Sequence, residues 1–180
     1  DGTLTPSRQP MTKEFQKFFS EWVKKNKFYL VTGSDLPKLQ EQMCYFDIEA
    51  EGIFTCCGNE FWRPDPHIVN ISAEQIYRQE FKPPQNLLTY LGHELRKSDY
   101  PVRCGNHIEE RPGGINFSIL DRKEQIDIRE RQDYIQWDKD TNERINISER
   151  LKSSFPDISV QIGGETGLDI TPLGKDKSQI

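Results

Sequence analysis

The sequence predicts an α/β protein, with a core drawn from both ends of the chain and an α+β layer inserted between them. Three observations carry this reading. The apolar run Phe28-Tyr29-Leu30-Val31 ends in the small-residue turn Thr32-Gly33-Ser34 and leads into a helical stretch, the local order of a parallel sheet. Pro83-Pro84 interrupts a long helical pattern. Beyond Pro101 the texture changes to paired short strands and charged helices.

Taken in order, Thr12 caps a helix whose apolar face is Phe15, Phe18, Phe19, Trp22 and Val23, with Glu14 in its first turn and Lys24 and Lys25 at its end. The strand at 28–31 follows, then a helix over 37–42. A further strand covers Ile53-Phe54-Thr55, turns at Gly58-Asn59 and returns through Glu60-Phe61-Trp62. Residues 72–97 read as helical on both sides of the prolines, and the stretch before Pro83 is the expected hinge. Val102 to Arg111 and Ile115 to Leu120 alternate around Pro112-Gly113-Gly114, a β-hairpin pattern. Helices are expected over 124–134 and 141–155, and strands over 158–162 and 168–170.

Hydrophobic residues make up 34% and charged residues 29% of the 180, with a formal net charge of -5 and a pI near 5.3. That balance argues against nucleic-acid binding, which relies on clustered Lys and Arg. No apolar run approaches the roughly 18 residues that cross a bilayer, so no membrane partner is expected. Cys44, Cys56, Cys57 and Cys104 contain no CxxC spacing and no matched histidines, and are read as thiols of a cytoplasmic protein rather than a zinc site. Asn70-Ile71-Ser72, Asn116-Phe117-Ser118 and Asn146-Ile147-Ser148 match the short glycosylation pattern, which arises readily by chance. His67, His93 and His107 lack metal-ligand spacing, and Trp62 and Trp137 are read as packing residues.

The residues able to carry chemistry are spaced along the whole chain. Asp1-Gly2-Thr3-Leu4-Thr5 stands ahead of the first helix, Thr32-Gly33-Ser34-Asp35 stands at a strand end, and Gly174-Lys175-Asp176-Lys177 lies near the last residue. Taken one at a time these could be an Asp-Gly turn, a helix cap and a solvated lysine-rich stretch. In that order they resemble the haloacid dehalogenase superfamily, in which the first motif reads Asp-x-Asp-Gly-Thr.

The resemblance narrows to the eukaryotic-type phosphomannomutases, and covers nearly the whole chain. It rests on Asp1-Gly2-Thr3-Leu4-Thr5-Pro6-Ser7-Arg8-Gln9, Ile108-Glu109-Glu110-Arg111, Gly114-Ile115-Asn116-Phe117-Ser118, Arg122, Arg129, Ile162-Gly163-Gly164, Leu168-Asp169-Ile170 and Lys175-Asp176-Lys177. It implies a Rossmann-like core over 1–81 and 172–180, truncated at both ends, and an α+β cap over 82–171. It further implies that Asp1 is the general acid and base and, through its carbonyl, a magnesium ligand, with the nucleophile two positions earlier in the motif. Thr32, Ser34 and Lys177 would hold the phosphoryl group. Arg8, Arg111, Arg122 and Arg129 would bind the sugar phosphate. Asp169 would contact sugar hydroxyls, and Gly167 occupies the position of a substrate-binding serine in the family. A hexose bisphosphate activator, a homodimer formed through the cap and a cytoplasmic location complete the expectation.

Arginine forks suit phosphate oxygens, and Arg122 and Arg129 share a helical face if their segment is helical. Three departures separate this chain from the family pattern. They are Gly167, the segment Cys57-Gly58-Asn59-Glu60 in place of Glu-Asn-Gly, and Thr32 where the family often has Gly. Three functions therefore stay open at this point: a mutase, a sugar-phosphate phosphatase, and a phosphosugar-binding protein without catalysis. The 180 residues alone are expected to bind magnesium poorly and to turn nothing over.

Overall fold

A computed structural model describes residues 3–6, 9–43, 50–64, 73–102, 105–120 and 128–180. The chain forms two compact units, one of residues 1–80 with 177–180 and one of residues 81–176.

The first unit begins with α1, Lys13–Val23. Thr12 caps it, its hydroxyl accepting the Phe15 amide at 3.3 Å. Phe19 is buried, and Phe15 and Val23 pack beside it against a core of Met11, Leu30, Leu36, Leu39, Met43, Ala50 and Ile53. The spacing of four between Phe15, Phe19 and Val23 places them on one helical face. Strand β1 (Tyr29–Val31) leads to α2 (Leu36–Met43) and then to β2 (Gly52–Thr55). β1 and β2 are parallel, with Leu30 opposite Ile53. β3 (Glu60–Pro64) returns antiparallel to β2, and β4 (Ala73–Arg78) completes a sheet of order β1-β2-β3-β4.

β4 corrects the helical expectation for the start of 72–97. Ala73, Glu74 and Gln75 are helix formers, but pairing with β3 overrides that preference: Tyr77 lies opposite Phe61 and Glu74 opposite Arg63. The Gln75 amide also donates to the buried carboxylate of Glu60 at 3.1 Å. Glu60 is 3% exposed, and Thr55 donates to its other oxygen at 2.6 Å. A carboxylate buried in the sheet is tolerated because neighbouring strands supply these donors.

The second unit starts with α3, Gln85–Lys97, immediately after the two prolines. The hairpin forms from β5 (Ile108–Arg111) and β6 (Gly114–Ser118), with Gly113 at φ 75 in the turn, a conformation glycine adopts without strain. Helix α4 is Ile128–Thr141, and so runs past the expected end at Tyr134. Helix α5 is Glu143–Ser154, followed by β7 (Ile158–Gly163) and β8 (Gly167–Pro172). The sheet order is β5-β6-β8-β7, antiparallel throughout.

One face of this sheet presents Ile115, Phe117, Val160, Leu168 and Ile170, which join Leu87, Leu91, Tyr134, Ile147 and Leu151 of the helices in one buried core. The strand period of two leaves the other face to polar residues. Residues 172–176, assigned to the core by the sequence reading, belong to this unit. The Leu173 amide donates to Asp157 O at 2.9 Å and the Ser159 hydroxyl to Asp176 Oδ2 at 2.5 Å.

Candidate active site

The candidate residues fall in both units. In the first, Thr32 and Ser34 follow directly on β1. The Thr32 hydroxyl accepts the Ser34 amide at 3.1 Å, which curls the turn and leaves the hydroxyl proton to be donated elsewhere. Asp35 rather than Ser34 caps α2, accepting the Lys38 amide at 3.0 Å.

The backbone after β2 completes this turn. Cys57 N donates to Thr32 O at 2.9 Å and Cys56 N to Ser34 O at 2.9 Å. Cys56, Cys57 and Gly58 all have positive φ, of 50, 61 and 88. This run of left-handed residues turns successive amides toward the Thr32–Ser34 carbonyls. Both cysteine side chains are buried.

Lys177 begins a 3-10 turn, Lys177–Gln179, that lies against the same segment. The Gln179 amide donates to Cys57 O at 3.0 Å, and a Cβ on Gly58 would sit 2.7 Å from Ile180 Cδ1. Thr32 and Ser34 thus share one backbone turn with Cys56 and Cys57, which the sequence showed only as Cys-Cys-Gly-Asn, and the 3-10 turn that Lys177 begins touches the same segment through Gln179 and Ile180. Thr5, from the opening motif, is also fixed: it is 6% exposed, and its hydroxyl accepts the Gln42 side chain at 3.3 Å. Asp1 and Arg8 lie outside the described residues.

In the second unit the polar sheet face carries the candidates. A row runs across all four strands: Glu109 opposite Asn116, Asn116 opposite Asp169, Asp169 opposite Gln161. Arg111 stands beside this row, and its Nε and Nη2 donate to the Glu109 carboxylate at 3.2 and 2.9 Å. That bidentate contact fixes the plane of the guanidinium on the sheet. Arg129 is exposed in the first turn of α4. Arg122 lies outside the described residues, so the expected pairing of Arg122 with Arg129 on one helical face does too.

Asp169 accepts the Asn116 side-chain amide at 2.5 Å. Gly167 begins β8, opposite Ser118 on one side and Gly163 on the other. The Ser118 hydroxyl does not replace the missing serine: it lies 2.5 Å from Leu120 O and 2.9 Å from Thr166 O, buried among backbone carbonyls. His107 faces Ser118 O through Nδ1 at 3.0 Å, a structural contact. Trp137, partly buried, packs against the core with its ring tilted on Tyr100, at 5.1 Å between ring centres.

Glu109, Asn116 and Gly163 carry no role in the sequence reading beyond family resemblance. The alternation along the hairpin was the available signal, because it puts Asn116 on the face opposite Ile115 and Phe117.

Comparison with known proteins decides the family. The sequence model of the eukaryotic phosphomannomutases matches residues 15–180. The chain belongs to the eukaryotic phosphomannomutase family. The phosphomannomutase of Saccharomyces cerevisiae is 31% identical over 186 residues, covering 99% of this chain and 70% of its own length. That of Drosophila melanogaster is 31% identical over 193 residues, with 99% and 70% covered. Among solved structures, a haloacid dehalogenase-like hydrolase from Bacteroides thetaiotaomicron superposes with a TM-score of 0.51 at 16% identity, covering 99% of this chain and 71% of that one. This last likeness shows the fold, which agrees with the α/β core and α+β insertion read from the sequence.

Proposed function

We propose that this chain serves the interconversion of mannose 6-phosphate and mannose 1-phosphate. The supporting observation is the polar sheet face of the second unit, where Arg111 and Asp169 stand on adjacent rows in a member of a mutase family. A guanidinium fork suits a phosphate, and a carboxylate suits sugar hydroxyls.

In the proposed cycle the carboxylate two positions ahead of Asp1 in the family motif attacks phosphorus of a hexose bisphosphate. The bond from phosphorus to the sugar oxygen breaks, and Asp1 gives that oxygen its proton. The monophosphate is exchanged for its isomer, Asp1 takes the proton of that isomer's free hydroxyl, the oxygen attacks the aspartyl-phosphate and frees the carboxylate, and the bisphosphate so formed turns over to present its other phosphate. Thr32, Ser34 and Lys177 hold the transferring group, while Arg8, Arg111, Arg122 and Arg129 hold the other phosphate. Magnesium, with Asp1 among its ligands, would offset charge on the phosphoryl oxygens. Among the described residues no group of three His, Cys, Asp or Glu forms a metal site, so the assignment rests on Asp1.

The phosphatase and the inactive binding protein are less favoured, because a hydrolase does not need a second phosphate site and the relatives bear mutase names. Dimerisation through the second unit and a cytoplasmic location belong to the same proposal. Among the described residues no helix is long and apolar enough to cross a membrane.

The natural polypeptide containing these residues, given mannose 1-phosphate, magnesium and a catalytic amount of hexose bisphosphate, is expected to form mannose 6-phosphate. Release of inorganic phosphate without mannose 6-phosphate would sink the mutase reading.

A further inference from the structure

We infer that Asn116 and Gly163 are positioning residues that clamp the Asp169 carboxylate for sugar hydroxyls; this rests on the functional reading above. Gly163 is the first indication. It lies within β7, paired with Gly167, and is not among the glycines of positive φ, so its backbone is open to any residue. Space explains the glycine instead. A Cβ there would lie 2.5 Å from Asp169 Oδ2 and 3.0 Å from Asp169 Cγ. The carboxylate occupies the place where a side chain at 163 would be.

Asn116 supplies the other side of the clamp. It is 4% exposed, and its amide nitrogen lies 2.5 Å from Asp169 Oδ1. Its own carbonyl oxygen is buried without a hydrogen-bond partner among the described residues. Turning the amide over would bring that oxygen against the carboxylate, so Asp169 dictates its orientation at the cost of an unsatisfied acceptor. Gln161, the other neighbour across the sheet, directs its amide to Asp176 Oδ2 at 3.3 Å instead. Asp169 is itself only half-buried. One oxygen is thus held by Asn116 and the other lies over bare backbone, an acceptor pair set for hydroxyl donors.

The test uses the 180-residue chain, with mannose 1-phosphate and methyl phosphate titrated calorimetrically into wild type, G163A, N116A, D169A and G163A/D169A. The clamp predicts that G163A and N116A each weaken mannose 1-phosphate about tenfold and leave methyl phosphate unchanged, and that G163A has no further effect once Asp169 is gone. Equal losses for both ligands, or a loss that persists in the D169A background, would overturn it. A ligand-free readout separates the clamp from the function: the Asn116 side-chain NH2 resonances should move in D169N and change in G163A. Resonances unmoved in D169N overturn the clamp even if mannose 1-phosphate binds. Resonances that move in a chain binding neither ligand overturn the sugar role and, with it, the functional reading.

Discussion

The amide of Cys57 donates to the carbonyl of Thr32 at 2.9 Å from a backbone of φ 61. A left-handed residue is what aims that amide at the Thr32–Ser34 turn. Asparagine tolerates this region and a β-branched residue does not. Cys57→Asn is expected to keep the melting temperature within a few degrees, whereas Cys57→Val should cost on the order of 1–3 kcal/mol in chemical unfolding. Equal stability of the two variants would contradict the role given to this backbone.

Tyr134 is fully buried in the second unit, and its hydroxyl has no hydrogen-bond partner among the described residues. Burial, with Asp138 nearby, holds its phenol well above the usual tyrosine range. The folded state therefore keeps a proton that the unfolded chain releases from about pH 10. The stability this contributes is fully present below that pH and is lost as pH rises toward the folded value. Tyr134→Phe should be neutral or slightly stabilising at pH 7, and should flatten the loss of stability above pH 10, measured by urea unfolding at a series of pH values. An alkaline slope identical to wild type would refute this.

Arg150 grips the buried Glu94 through Nε at 3.1 Å and Nη2 at 2.6 Å, joining α5 to α3. The Glu94 hydrogen bond is also the main reason the Arg150 guanidinium holds its proton more tightly than usual. Arg150→Met leaves a carboxylate buried without its partner, and should destabilise by about 2 kcal/mol. Glu94→Leu combined with Arg150→Met should recover part of that loss, because no unpaired charge remains. A double variant less stable than Arg150→Met alone would contradict the account.

Arg111 holds its plane through two bonds to Glu109, a geometry that an ammonium group cannot copy. Arg111→Lys is expected to weaken inorganic phosphate binding about tenfold despite the retained charge. Full affinity in the lysine variant would reduce Arg111 to a simple point charge.

Much of the fold was legible because apolar spacing matched the final packing: Phe15, Phe19 and Val23 in α1, and the hairpin around Gly113. The misreading at β4 is physical. Ala73, Glu74 and Gln75 favour a helix locally, and only the β3 edge with Glu60 makes a strand of them. Within the candidate site, Thr32, Ser34 and Arg111 could be proposed from the sequence as residue types. Their supports could not, because Cys57 reaches Thr32 and Asn116 reaches Asp169 across strand registers that no local pattern specifies.

The central claim is that the polar face of the second unit's sheet receives the phosphosugar. Titration of mannose 1-phosphate into the 15N-labelled 180-residue chain tests it most directly. The backbone amides of Arg111, Asn116 and Asp169, and the Arg111 side chain, should shift together and saturably, while Leu87, Leu91 and Ile147 in the helices behind the sheet stay still. Saturable shifts confined to the helices, or no shift at any of the three sheet residues, would contradict the account.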